Sequence, residues 1–158
     1  MATTKIFGIL LFILTSSFLL TGCDTESNPY RIDFSLAEAN LFDITGIESR
    51  TTESGLIIYD LEPGTGSLEV VSRDNILLYY TIRFKPNDAI IESSYANNSN
   101  FPVQFNGIAA TANRIGDGFV EGVIGMKEGE KRVVMIPTSE SVYSDTVIVD
   151  LELDSILY

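Results

Sequence analysis

The sequence is poor in cysteine and in basic residues, and both shortages limit what the protein can be. Its 158 residues contain a single cysteine, so no disulfide can form within the chain and a folded domain must be stabilised by its apolar core. Ten lysines and arginines stand against 22 aspartates and glutamates, which gives a formal net charge of −12. Because binding to nucleic acid or anionic lipid requires positive charge, we expect no nucleic-acid partner.

The first 23 residues have the layout of a secretory signal peptide. Lys5 precedes an apolar run of about fifteen residues, which ends at small residues just before Cys23. A membrane span needs roughly 20 apolar residues, so a spanning anchor is the less favoured alternative.

The sequence LTGC at residues 20–23 resembles the lipobox of bacterial lipoproteins. The resemblance implies that Cys23 carries lipid and begins the mature chain, and a buried or unpaired cysteine is the alternative. We therefore expect a signal peptide over residues 1–22, a lipidated tether and N-terminal extension over 23–50, and a folded domain over 51–158. Without Lys5 the mature chain has a net charge of about −13. Its attachment to a membrane would then come from the lipid.

The region between Cys23 and the domain has two parts. Residues 24–32 are polar and include a proline, which is typical of a linker. Residues 33–45 place Phe34, Ala37, Leu41 and Ile44 at a spacing that would line one face of a short helix.

From residue 55 onward the pattern is that of strands. Branched and aromatic side chains are dense in five segments, and turn residues such as proline and glycine separate several of them. Residues 147–153 alternate between apolar side chains at odd positions and mostly polar ones at even positions, as a strand with one buried face requires. The predicted strands lie within residues 55–62, 75–84, 89–95, 131–137 and 146–157.

The segment GFVEGVIGMKEGEKRVVMIP, residues 118–137, indicates a short helix, a tight turn and a buried strand. We expect Asp117 to cap the helix, and apolar side chains from Phe119 to Ile124 to cover one side of it. So short a helix is stable only against a sheet. We interpret the charged cluster around Lys127, in which Lys131 and Arg132 alternate with glutamates, as a solvated turn. The sequence therefore predicts an α+β fold, with a curled antiparallel sheet of about five strands on one short helix.

The order of these elements and their residues resemble the FKBP-type peptidyl-prolyl isomerases. The resemblance covers roughly residues 54–156, and its most specific part is the GMKEGEKR stretch. Its motifs are LLYYTIRF, AIIESSY, FPVQFNG, GFVEGVIGMKEGEKRVVMIP and VIVDLELDSI.

The resemblance implies the residues of a site. By position, four would act on the peptide directly and five would line an apolar pocket around its proline. Ordinary structural roles stay open for the first four: a core residue for Tyr80 and Phe119, a surface charge for Glu92 and a loop aromatic for Tyr143. The first group is Tyr80, Glu92, Phe119 and Tyr143, and the second is Ile91, Val103, Phe105, Ile115 and Val149.

The implied reaction is rotation about an X-Pro imide bond, which is slow when uncatalysed. No bond is made or broken, so the resemblance implies neither a nucleophile nor a metal or other cofactor, and the absence of histidine has no cost. The sequence departs from the family at three pocket positions, where aliphatic side chains replace aromatic ones at Ile91, Val103 and Val149. Only eight residues separate Pro137 from Thr146, a shorter loop than is usual in the family.

These departures leave two functions open. The first is a prolyl isomerase that binds proline-containing polypeptides and assists the folding of exported proteins. The second is an FKBP-like chaperone or peptide-binding lipoprotein with weak catalysis, and a purely structural lipoprotein is a third reading with no positive support. We expect a monomer that is anchored through Cys23 in a bacterial cell envelope, on the inner or outer membrane and facing the periplasm or the cell surface.

Overall fold

A computed structural model of the chain describes residues 31–157. The predicted signal peptide, the lipobox and Cys23 lie outside the described residues. None of the helices within residues 31–157 has the length and hydropathy of a membrane span.

Short helices and longer strands follow one another along the described chain. The helices are α1 (Ser35–Ala39), α2 (Ile108–Thr111) and α3 (Asp117–Val123). The strands are β1 (Ser49–Thr51), β2 (Ile57–Glu62), β3 (Asn75–Phe84), β4 (Ile90–Ser93), β5 (Val103–Phe105), β6 (Lys131–Ile136) and β7 (Val147–Leu157).

The strands form one antiparallel sheet in the order β1-β2-β6-β7-β3-β4, and β5 pairs with β3 on the same edge as β4. The long central strands, β3 and β7, have ten and eleven residues and pair along their whole length. The α+β prediction is confirmed, but the described residues contain seven strands rather than about five. The additional strands, β1 and β5, have three residues each and are too short to show a period of two.

The core lies between α3 and the sheet face that we call the inner face. Leu78, Tyr80 and Ile82 of β3 and the odd-numbered residues of β7 from 147 to 153 point into it and are buried, as the alternation predicts. Helix α3 packs close to β6 because it has glycines on that side. A Cβ atom at Gly118 would clash with Cγ2 of Ile136, and one at Gly122 would lie 3.1 Å from Cγ2 of Val134.

The start of α3 differs from the prediction. Gly116, at φ 121°, precedes the helix, and no side chain caps it. Asp117 is the first helical residue, so its predicted capping role is wrong, although its charge still lies at the positive end of the helix dipole. Ile124 follows the helix and is exposed, so it does not extend the apolar face.

The charged turn after α3 is not fully solvated, contrary to our interpretation. Glu130 and Arg132 are buried and form an ion pair through Arg132 Nη2. Arg132 Nη1 also donates to the carbonyl oxygens of Gly122 at 2.9 Å and Ile124 at 3.4 Å. These carbonyls belong to the end of α3, where helices lack backbone donors. The arginine therefore ties β6 to the end of the helix.

The N-terminal extension packs on the outer face of the sheet. Helix α1 covers five residues rather than the thirteen predicted, and Asn40 ends it by donating from Nδ2 to the Leu36 carbonyl at 2.7 Å. Ala37 is fully buried. Phe42 lies beside the buried Asp150 of β7, and Lys131 Nζ lies 5.9 Å from the centre of the Phe42 ring. Residues 32 onward thus belong to one compact unit with the sheet.

Candidate functional site

Three polar side chains meet at the end of the core nearest β4. Tyr80, on the inner face of β3, donates a short hydrogen bond from its hydroxyl to Oε1 of Glu92 on β4. Arg114 lies just before α3 and donates to both carboxylate oxygens of Glu92, at 2.9 Å and 2.7 Å. The same guanidinium donates to the Tyr80 hydroxyl at 3.2 Å. The Tyr80 hydroxyl is therefore fixed by one acceptor and one donor.

Charge and burial set the protonation of this triad, Tyr80, Glu92 and Arg114. Burial, together with the hydrogen bond and the charge of Glu92, raises the pKa of the Tyr80 phenol. Burial alone would raise the pKa of Glu92, but the hydrogen bonds from Arg114 and Tyr80 and the Arg114 charge hold it below the ordinary value. At neutral pH the site therefore holds a neutral phenol, a carboxylate and a guanidinium.

An aromatic cluster lies directly beneath the triad. The rings of Tyr80, Phe105 and Phe119 have centroids 5.7 to 5.9 Å apart and meet at tilted or edge-on angles, which are favourable geometries for aromatic pairs. Phe119 is 0% exposed, so no face of its ring is open to solvent. Ile115 and Val149 complete this floor and are also buried.

Three partly exposed side chains pack against the core that contains this floor. Ile91 of β4, Val103 of β5 and Tyr143 of the β6–β7 connection all belong to this group. The Tyr143 and Phe84 rings are nearly perpendicular, with centroids 6.1 Å apart. The neighbouring Val142 amide donates to the Ile115 carbonyl at 3.3 Å, which holds the short loop beside the floor.

Tyr143 is close enough to the triad for the charges of Glu92 and Arg114 to affect the pKa of its phenol. Burial raises the pKa of its phenol, the Glu92 charge raises it further, and the Arg114 charge lowers it. Among residues 31–157 we find no hydrogen-bond partner for the Tyr143 hydroxyl. The Tyr143 hydroxyl can therefore donate a hydrogen bond to a ligand, whereas the Tyr80 hydroxyl already bonds to Glu92 and Arg114.

Direct contacts join four of the nine predicted site residues, Tyr80, Glu92, Phe105 and Phe119. The other five belong to the same apolar core or pack against it: Ile91, Val103, Ile115, Tyr143 and Val149. Arg114 is the functional candidate that sequence reasoning missed. A signal for it existed, because Arg114 is the one basic residue between Lys85 and Lys127 and could pair with Glu92, which the resemblance assigns to the site. Within the described residues, no group of three or more acidic, histidine or cysteine side chains is placed to hold a metal ion.

Solved structures share this fold at low sequence identity. FkpA from Escherichia coli gives a TM-score of 0.58 at 20% identity, over 68% of this chain and 51% of that one. AtFKBP13 gives 0.59 at 22%, over 70% and 99% of the two chains. A peptidyl-prolyl cis-trans isomerase from Pseudomonas syringae pv. tomato gives 0.55 at 18%, over 70% and 81%. The chain spans about half the length of FkpA.

The sequence itself gives the family. A search of curated proteins finds no match to the chain. Residues 66–148, just over half of the chain, match the sequence profile described as FKBP-type peptidyl-prolyl cis-trans isomerase, so the chain belongs to that family.

Proposed function

We propose that the protein catalyses cis–trans isomerisation of X-Pro bonds in exported polypeptides. The observation that carries this proposal is the triad of Tyr80, Glu92 and Arg114 directly above an apolar floor, in a chain of the FKBP-type family. Rotation about the imide has a barrier of about 18–20 kcal/mol because the planar bond is stabilised by resonance. That resonance form is polar, so an apolar environment disfavours it relative to the twisted transition state.

The geometry suggests how the residues would share this work. The proline ring would contact the partly exposed Ile91 and Val103, at the edge of the buried floor. The Tyr143 hydroxyl would donate to a carbonyl of the peptide and hold it in place. The triad would act as a rigid polar wall, because its hydrogen bonds leave Tyr80 little freedom to move.

The test is the slow, proline-limited phase in the refolding of a model protein, in the presence of the chain from residue 24 onward. We expect the protein to accelerate this phase. Replacing Tyr143 by Phe removes one hydrogen bond to the peptide, so we expect kcat/KM to fall roughly 3- to 10-fold, as a loss of about 1 kcal/mol implies. Tyr59→Phe is the matched control, because Tyr59 lies on β2 and does not contact the triad or the floor, and we expect no change from it.

A second function, peptide binding without effective catalysis, is favoured by two observations. Phe105, Ile115, Phe119 and Val149 are almost completely closed to solvent, and the β6–β7 connection is short. This alternative predicts that the protein suppresses aggregation of unfolded clients while the proline-limited phase stays unchanged at high protein excess. That result would overturn the proposal of catalysis.

We also propose that the protein is a bacterial lipoprotein, attached to a membrane of the cell envelope through lipid on Cys23. The LTGC sequence after an apolar leader supports this, and the domain itself would act as a monomer. Incorporation of labelled fatty acid into the wild type but not into Cys23→Ser is the expected result. Equal labelling of both chains would contradict it.

A further inference from the structure

Asp33, in the N-terminal extension, is hydrogen-bonded to the connection between β4 and β5, residues 94–102. Its backbone amide donates to Oδ1 of Asn97 at 3.0 Å, and its carbonyl accepts from the Asn97 amide at 2.7 Å. Its carboxylate accepts from Nδ2 of Asn98 at 3.2 Å and from the Ser35 amide, at the start of α1, at 2.9 Å. We call this set of bonds the clasp. It joins residues 64 positions apart in the sequence.

The loop end of the clasp has an unusual backbone. Asn97 and Asn98 both have positive φ, at 55° and 59°. Asparagine tolerates this left-handed region better than most residues, but two in succession are uncommon and persist only where the surroundings hold them. The bonds from Asp33 supply that support.

The clasped loop connects two strands that carry site residues. Glu92 and Ile91 lie on β4, just before the loop, and Val103 begins β5, just after it. Where the loop leaves the sheet, the Ser94 amide donates to the Tyr80 carbonyl at 2.9 Å, and the Tyr80 amide donates to the Ser94 hydroxyl at 3.1 Å. A change in the conformation of the loop would therefore displace Ile91 and Glu92 at one end and Val103 at the other.

We propose that Asp33 is a positioning residue: through Asn97 and Asn98 it holds residues 94–102 in the conformation that binds a proline peptide. The N-terminal extension is then part of the binding apparatus and not only a tether. This inference rests on the proposed peptide binding, but it does not require catalysis.

The test measures the affinity of the full chain for a short X-Pro peptide, together with hydrogen exchange of the backbone amides. Asp33→Ala removes the carboxylate that accepts from Asn98 and Ser35 but keeps the two main-chain bonds to Asn97. We expect the Kd to rise roughly 5-fold, because one of the two lost bonds reaches the loop. We expect faster exchange in residues 94–102 and unchanged exchange in β3 and β7. Asp33→Asn keeps an oxygen for the Ser35 amide, and its side-chain amide can bond to Asn98 once the latter turns its oxygen inward. It should restore affinity to within about twofold of the wild type.

Two further variants separate the clasp from a general loss of structure. Asn97→Gly keeps the positive φ at no steric cost but removes the acceptor for the Asp33 amide, so we expect it to weaken binding as Asp33→Ala does. Asp43→Ala is the matched control: Asp43 also lies in the extension and accepts from the Thr45 amide at 2.9 Å, but it is not part of the clasp. We expect the control to bind like the wild type.

The outcomes distinguish this inference from the proposed enzyme activity. If Asp33→Ala loosens the loop without changing the Kd, or if Asp43→Ala weakens binding equally, the positioning role is overturned. It is also overturned if the wild type binds no proline peptide. If the wild type binds the peptide without accelerating isomerisation and the clasp variants weaken binding, the inference holds and only the proposal of catalysis fails.

Discussion

Two arginine–glutamate pairs, Arg132 with Glu130 and Arg114 with Glu92, use the same chemistry in two regions of the molecule. The Arg132 and Glu130 side chains are 7% and 11% exposed, whereas those of Arg114 and Glu92 are 51% and 28% exposed. Arg132 also donates from Nη1 to carbonyls at the end of α3, and its Nε lies 3.0 Å from Oδ1 of Asp60. Arg114 instead donates to a hydroxyl of the candidate site. Burial therefore distinguishes a pair that supports the fold from one that can meet a ligand.

The energetic reason for this difference is desolvation. A buried charge is costly once its partner is removed, because water cannot replace the lost interaction. A half-exposed charge is rehydrated when it loses its partner, so little stability is lost. Three substitutions test this comparison, and each is expected to change the free energy of unfolding by a different amount.

The largest effect is expected from Arg132→Met. This change leaves the buried Glu130 without its cation and removes the donor to the Gly122 and Ile124 carbonyls, so the free energy of unfolding should fall by about 3–5 kcal/mol. Urea denaturation measures this loss. The control is Lys131→Met, whose pair with the exposed Glu62, at 3.1 Å, should be worth about 0–1 kcal/mol. Equal losses in the two variants would show that burial does not set the role of the pair.

An intermediate effect, dependent on pH, is expected at Asp150 on the outer face. Burial raises the pKa of its carboxyl to about 6, while the charge of Arg83, 3.5 Å away, and the Phe42 amide lower it and Asp88 raises it slightly. Because the pKa in the folded state exceeds that of the unfolded chain, the stabilisation from the bound proton is complete below pH 3.8 and is lost as the pH rises through about 6.

The wild type should therefore lose stability relative to Asp150→Asn between pH 4 and pH 7, by on the order of 1–3 kcal/mol. Denaturation of both chains at the two pH values gives this difference. A difference that stays constant with pH, or one of opposite sign, would mean that Arg83 fully compensates the buried carboxylate.

The smallest effect on stability is expected from Arg114→Met, below about 1 kcal/mol, because the pair is half-exposed. Its effect on the site should nevertheless be clear. Without Arg114, burial becomes the dominant influence on Glu92, so the pKa of Glu92 should change from below to above its ordinary value. A carbon-13 NMR titration of the glutamate carboxyls follows this change.

Arg50→Met is the control for that titration. The Arg50 side chain is as exposed as that of Arg114 and pairs with Asp60 at 3.0 Å, but it lies on β1, outside the site. The pKa of Glu92 should not change in this variant. If Arg114→Met also leaves it unchanged, Arg114 does not control the charge of the site.

Local pattern predicted most of the fold. The alternation in β3 and β7 and the short apolar stretch after Asp117 gave the central sheet and the helix against it, because burial of one face imposes a period on the sequence. The three-residue strands β1 and β5 have no such period, since their pairing is decided by the neighbouring strands. The charged turn was misjudged because charge type suggests exposure, and only the packing of β6 under α3 shows that Arg132 is enclosed.

The site could be predicted only at positions where the resemblance to the family assigns a residue. Tyr80 and Glu92 stand at positions where the resemblance implies a pair. Arg114 reaches them from another element, 34 residues after Tyr80, and no local pattern in the sequence encodes that contact. The clasp joins residues even more distant in the chain, so the helical spacing of residues 33–45 gave no indication of it.

The clasp also sets a limit on distance. Asp33 stands ten positions after Cys23 in the sequence. A fully extended chain spans at most about 3.6 Å per residue, so this stretch reaches roughly 36 Å. With lipid on Cys23, as we propose, the clasped loop would stay within that height of the bilayer surface. The polypeptides that reach it would then be those close to that membrane.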